Sequence, residues 1–166
     1  MRKGLTLSTL VICSVIASGC ASLTPPERPA YTGSDLITSA DAAQIIGTWV
    51  VNDLNPYPNA EPQSTIIQYL ADGTVTAVVE PKGESADALG NMKFNMTGNW
   101  QLNGDLMSHS NIEISTSADN QMGALISKLV NNSTKGIAGE ANVYELTADR
   151  IVMVGSDGAA MEYVRQ

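Results

Sequence analysis

The chain is short of thiols, imidazoles and large rings, with 2 cysteines, 1 histidine and 1 phenylalanine in 166 residues and only 5% aromatic side chains. Both cysteines, Cys13 and Cys20, fall in the first twenty positions, so no disulfide can staple the remaining 146 residues and the fold must stand on its apolar core. With no thiol beyond Cys20 and one histidine, a zinc site would rest on carboxylates, a poor donor set for that metal. No metal and no other cofactor is expected. Basic residues are also few: 9 Lys and Arg face 17 Asp and Glu, a formal charge of −8. Such a surface repels polyanions, which excludes nucleic acid as a partner. It suits a basic protein partner, although solubility alone accounts for acidity of this size. After the first twenty positions no run reaches the ~20 apolar residues of a membrane helix.

What the sequence does have begins at its N-terminus. Arg2 and Lys3 make a positive start, and Leu5 to Ile16 form an apolar stretch short for a bilayer span. Ala17-Ser18-Gly19-Cys20 comes next and resembles a lipobox. Small residues there give a peptidase access to the backbone, and the thiol accepts lipid. The resemblance implies a signal peptide over 1–19 and a lipoprotein carrying diacylglycerol and palmitate at Cys20. Acyl chains contribute ~0.8 kcal/mol per buried methylene, and several together make attachment durable. Ala21 stands where an inner-membrane retention signal would place Asp. The expected address is the bacterial outer membrane, lipid-anchored and facing the periplasm. Residues 20–38 carry Pro25, Pro26, Pro29 and Gly33 without apolar period, which reads as a lipidated tether.

Over 39–166 the pattern becomes that of one all-β domain. Ser39 is a candidate cap for a short helix over 40–46, with Asp41 in its first turn. Beyond Gly47, runs with period two are broken by turn signals. They start at Thr48–Asn52, Ser64–Leu70, Thr74–Glu80, Met92–Leu102, Asp105–Ser115, Asn142–Thr147, Arg150–Val154 and Ala159–Arg165. Asp72-Gly73, Asn103-Gly104 and Asp157-Gly158 are hairpin signals, because these residues tolerate positive φ. Met122, Leu125, Ile126, Leu129 and Val130 share helical spacing, which predicts one helix over 119–131, between strands five and six. About eight antiparallel strands in sequence order favour a closed barrel, since closure removes free edges.

Gly47-x-Trp49 after a short helix, Arg165 on the last strand, and Gly98-Asn99-Trp100-Gln101-Leu102-Asn103-Gly104-Asp105-Leu106 as a middle hairpin resemble the lipocalin-like barrels of small bacterial lipoproteins, within the calycin group. The resemblance spans roughly 39–165. It implies an arginine at 165 packed over the tryptophan at 49 and closing the base of the barrel, with Gly47 beside them. A second lipocalin motif near Thr147-Ala148-Asp149 and a disulfide are absent, and the helix between strands five and six departs from the group. Fold alone supplies no ligand, so a transport role cannot be carried over with the resemblance.

For function, the face shared by Met92, Phe94, Met96 and Trp100 is the leading feature. Thioethers and rings make an adaptable apolar lining for a fatty or polycyclic guest, but eight strands enclose little more than their own side chains, so the filling of a core is the more ordinary use of the same residues. Gly98 on that face either leaves space for a guest or marks a bend. His109 lies between Ser108 and Ser110, which point to the opposite strand face, so no hydrolytic triad forms there. The loop Glu80–Asp87 lacks the regular oxygen spacing of a calcium site. No convergent acid, base and nucleophile appears, and the chain is not expected to be an enzyme. The expected function is a lipid-anchored binding module of the cell envelope holding a small hydrophobic ligand in its barrel. The alternative is a periplasmic inhibitor of a lysozyme or protease, for which acidity speaks and no inhibitory motif does.

Overall fold

The computed structural model describes residues 28–58, 60–89, 91–117, 125–126, 128 and 139–166. Eight strands form one closed antiparallel barrel: β1 (Gly47–Asp53), β2 (Gln63–Tyr69), β3 (Thr74–Pro81), β4 (Phe94–Asn103), β5 (Leu106–Thr116), β6 (Gly139–Leu146), β7 (Arg150–Gly155) and β8 (Ala160–Arg165). Each pairs with its neighbours in sequence, and β8 returns to β1 through Trp49↔Arg165 and Val51↔Tyr163. Every strand therefore has a partner on both sides over at least part of its length, the β5–β6 ladder covering Leu106 to His109. The short helices α1 (Ala42–Ile45) and α2 (Glu84–Ala88) accompany them. Among the described residues no helix is long and apolar enough to cross a membrane.

Local chemistry explains where the elements begin. Asp41, not Ser39, caps α1, its carboxylate accepting from Ala43 N at 2.9 Å. This satisfies a first-turn donor that Ser39 is too far back to reach. Met92 lies outside β4, which starts at Phe94, because Asn91 takes a left-handed turn (φ 56°) and Met92 N is drawn to Leu89 O. The Glu80–Asp87 stretch is not an open loop: Gly83 (φ 62°) ends β3 and α2 comes after it, with Glu84 and Asp87 in its first turn. The helix expected over 119–131 falls largely outside the described residues; Leu125, Ile126 and Lys128 are helical.

The two ends of the barrel differ. At the base the connections are tight turns at 70–73, 104–105 and 147–149, with Gly73 (φ 84°) and Gly104 (φ 67°) supplying the left-handed positions. At the mouth, 54–62 joins β1 to β2, 82–93 joins β3 to β4, and 156–159 joins β7 to β8. Trp49, Tyr69, Met107, Val143, Ile151 and Val75 are fully buried. These side chains come from strand ends nearer the base, with Ile45 of α1 plugging beneath them.

Residues 28–38 of the expected tether lie along the barrel wall. Leu36 N donates to Tyr144 O at 2.9 Å, a carbonyl freed by a bulge in β6 where Val143↔Met153 gives way to Glu145↔Val152. Tyr31 packs on Tyr144 with ring centroids 6.1 Å apart, Ile37 meets the core, and Ala40 N donates to Gly104 O. This strap runs from the mouth, at Arg28, to the base, at Ala40.

Candidate functional site: the barrel interior

Alternation along β4 turns Phe94, Met96, Gly98, Trp100 and Leu102 to the barrel interior, as their cross-strand partners show: Phe94↔Val79, Met96↔Ala77 and Trp100↔His109. The four candidate lining residues do not form one wall. Trp100 is buried at the base side and its Nε1 donates to Leu70 O at 2.9 Å. Met96 and Phe94 stand nearer the mouth and are half-buried, while Met92 is buried outside the strand beneath α2. Gly98 leaves no room for a guest. A Cβ there would lie 2.6 Å from Ile112 Cδ1 and 2.9 Å from Ser110 O, so Ile112 occupies that space, set by a bulge of β5 at Asn111 (φ 53°).

The base is closed by three residues acting on one another. Arg165 lies with its guanidinium carbon 4.0 Å from the centre of the Trp49 ring, and Trp49 Nε1 donates to Ile45 O at 2.8 Å. Arg165 Nη2 donates to Gln44 O at 2.7 Å and Nη1 to Ile46 O at 3.2 Å, so the cation fastens α1 under the barrel. Those carbonyls belong to a helix C-terminus, where a positive charge is favoured. Gly47 (φ 144°) sits so close that a Cβ would fall 2.4 Å from Arg165 Nη1.

Above this plug lies a polar aromatic layer that the residue pattern does not single out. Tyr69 Oη and His109 Nε2 share a hydrogen bond of 3.0 Å, and Tyr69 also meets Trp100 edge-on at 5.4 Å and Tyr163 at 6.4 Å. Burial holds His109 below its ordinary value, so the imidazole is neutral at neutral pH. Burial, with the neighbouring Tyr163, pushes the Tyr69 phenol well up, and burial raises Tyr163 as well. A neutral histidine bonded to a tyrosine satisfies two buried polar groups without placing a charge in the core. Tyr69 comes two positions after Ile67 on the inward face of β2, and that alternation was the available signal.

Toward the mouth the interior opens. Val51, Thr65 and Met161 line a cleft of about 440 Å³ that Asp53, Gln63 and Pro62 continue at the rim. Met96, Phe94 and Val79, on β4 and β3, are half-buried and do not line that cleft. The rim itself is latched: Arg28 Nη1 donates to both oxygens of Asp53 at 2.9 and 3.0 Å and to Asn55 O at 3.1 Å, and Arg28 stacks on Tyr57. Asn55, 6% exposed, donates from Nδ2 to Pro29 O and Gly158 O and accepts from Ala160 N, joining the strap to both rim connections. Among the described residues no three His, Cys, Asp or Glu side chains gather as a metal site.

The closed antiparallel barrel of eight strands fits a lipocalin-like barrel. No family model matches the sequence, and no curated protein matches it. The chain is similar to an NMR structure of a protein from Burkholderia xenovorans, at 15% identity over 83% of this chain and 98% of that one, with a TM-score of 0.40.

Proposed function

We propose that this chain is a lipid-anchored binding module of the bacterial cell envelope that takes a small apolar guest into the mouth half of its barrel. The observation that carries the reading is the grading of the interior from filled to open. The base half is packed with fully buried Trp49, Tyr69 and Met107, whereas toward the mouth Val51, Thr65 and Met161 line a cleft, and Phe94 and Met96 on β4 remain half-buried. A guest confined to that half covers apolar surface already held in place, at ~25 cal/mol per Å² buried. The thioethers of Met96 and Met161 adapt to guests of different shape. Attachment through lipid on Cys20 belongs to the same reading and rests on the lipobox resemblance.

The test is native mass spectrometry of residues 21–166, then titration with a fatty acid while tryptophan emission is recorded. One saturable site with a dissociation constant on the order of micromolar, about −8 kcal/mol, is the expected result. Met96→Trp fills the mouth half and should abolish binding while leaving cooperative unfolding in place. A folded protein with no guest and no response overturns the binding reading and directs attention to inhibition of a lysozyme or protease.

A further inference from the structure

The course of the strap bears on how the barrel meets its membrane. Arg28 is fastened at the mouth, to Asp53 of β1 and to Asn55, while the chain reaches the base only at Ala40. Eight Cα-to-Cα steps lead from Cys20 to Arg28. Fully extended they span at most ~28 Å. Strands of this length, tilted in a closed barrel, give it a height of roughly 20 Å. Turning the base toward the bilayer would consume most of the leash, whereas a mouth-first approach needs little of it.

Charge does not separate the two ends: the base turns carry Asp72, Asp105 and Asp149 beside the Arg165 cation, and the mouth connections carry Glu61, Glu84, Asp87 and Asp157 beside the ion pairs of Asp53 with Arg28 and of Glu80 with Lys82 and Lys93. The rim also exposes two large apolar residues, Leu54 at 38% and Tyr57 at 39%, on the connection that Arg28 holds. Amphipathic rings such as tyrosine sit well at headgroup level.

We infer that the mouth of the barrel faces the lipid bilayer, with the Leu54–Tyr57 rim at its surface, so that a guest passes between membrane and barrel without crossing bulk water. The inference rests on the proposed anchoring through Cys20. The experiment uses the full lipidated protein in vesicles of phosphatidylethanolamine and phosphatidylglycerol containing a lipid with a nitroxide headgroup. A single fluorophore is attached through Ser156→Cys at the mouth or Ala71→Cys at the base, both exposed turn positions. Quenching should be about threefold or more stronger at Ser156→Cys, given the roughly 20 Å between the ends. Arg28→Ala should narrow that difference. Equal quenching, or stronger quenching at the base, in a protein whose mass shows acylation overturns the orientation alone. A mature chain with no acyl mass on Cys20 overturns the anchoring and the orientation together. A difference untouched by Arg28→Ala overturns the strap as its cause.

Discussion

Arg165 lies over Trp49, its cross-strand partner, with 4.0 Å between guanidinium carbon and ring centre, while its nitrogens hold carbonyls at the end of α1. One cation therefore joins the first strand, the last strand and the helix beneath them. The stacking contributes ~1 to 2 kcal/mol, and the bonds to carbonyls contribute further. Arg165→Ala should cost about 3 kcal/mol in urea unfolding, and Arg165→Lys should recover less than half, because a point charge cannot stack and fork together. Gly47→Ala should be comparably harmful, since its Cβ would meet Arg165 Nη1. Near-additive losses in the double variant Gly47→Ala, Arg165→Ala would speak against the contact; a subadditive result is expected.

Asn55 should control the rim. Its side chain bonds Pro29 O, Gly158 O and Ala160 N, so removing it takes a partner from three segments and leaves the buried Ala160 N unsatisfied. Asn55→Ala is expected to cost about 2 to 4 kcal/mol. Asn55→Asp keeps the acceptor and loses both donations. Limited proteolysis should cut the 54–62 connection in either variant well before any cut appears in the wild-type chain.

The stability of the barrel should depend on pH through His109. Its pKa is lowered by burial, so below its ordinary value of 6.5 the unfolded chain binds a proton that the folded one refuses. Stability is fully present above 6.5 and is lost as pH falls toward the folded value. Glu162, lowered chiefly by Arg150 and then by Asn52, adds a second loss that begins only below its ordinary 4.5. His109→Gln should flatten the curve in the upper window and leave the lower one unchanged. Tyr69 and Tyr163 are raised, so a separate decline is expected as pH rises past about 10. Thermal unfolding midpoints between about pH 2 and 11 check all three.

Gly98 should be intolerant of any side chain. A Cβ would clash with Ile112 and with the Ser110 carbonyl, and the latter is backbone and cannot step aside. Gly98→Ala is expected to destabilise by about 1 to 3 kcal/mol. Adding Ile112→Val should return only the part owed to the side-chain clash, measurable as a partial recovery in unfolding midpoint.

The architecture was legible because period two and turn chemistry are local. Apolar residues alternate through β3, β4 and β8, and Gly73, Gly104 and Gly158 take the positive φ that their Asp-Gly and Asn-Gly contexts announce. Eight such runs in a row leave closure as the way to satisfy every edge. What composition could not show was depth. Phe94, Met96 and Trp100 share one inward face, yet only their height along the barrel makes Trp100 part of the plug and the other two part of the open half.

An acidic, thiol-poor barrel domain behind a lipobox-like N-terminus can be read from the order of residues, since charge, cysteine position and alternation are all properties of neighbours along the chain. It takes the folded barrel to show that Tyr69 meets His109 across 40 residues, that Ile112 takes the space above Gly98, and that residues 28–38 clasp the wall instead of hanging free. Those contacts depend on strand register and on two bulges, at Asn111 in β5 and in β6 between Val143 and Glu145. A bulge shifts which residues face each other by one position, and such a shift is settled by the packing of the whole barrel and not by any short stretch of sequence.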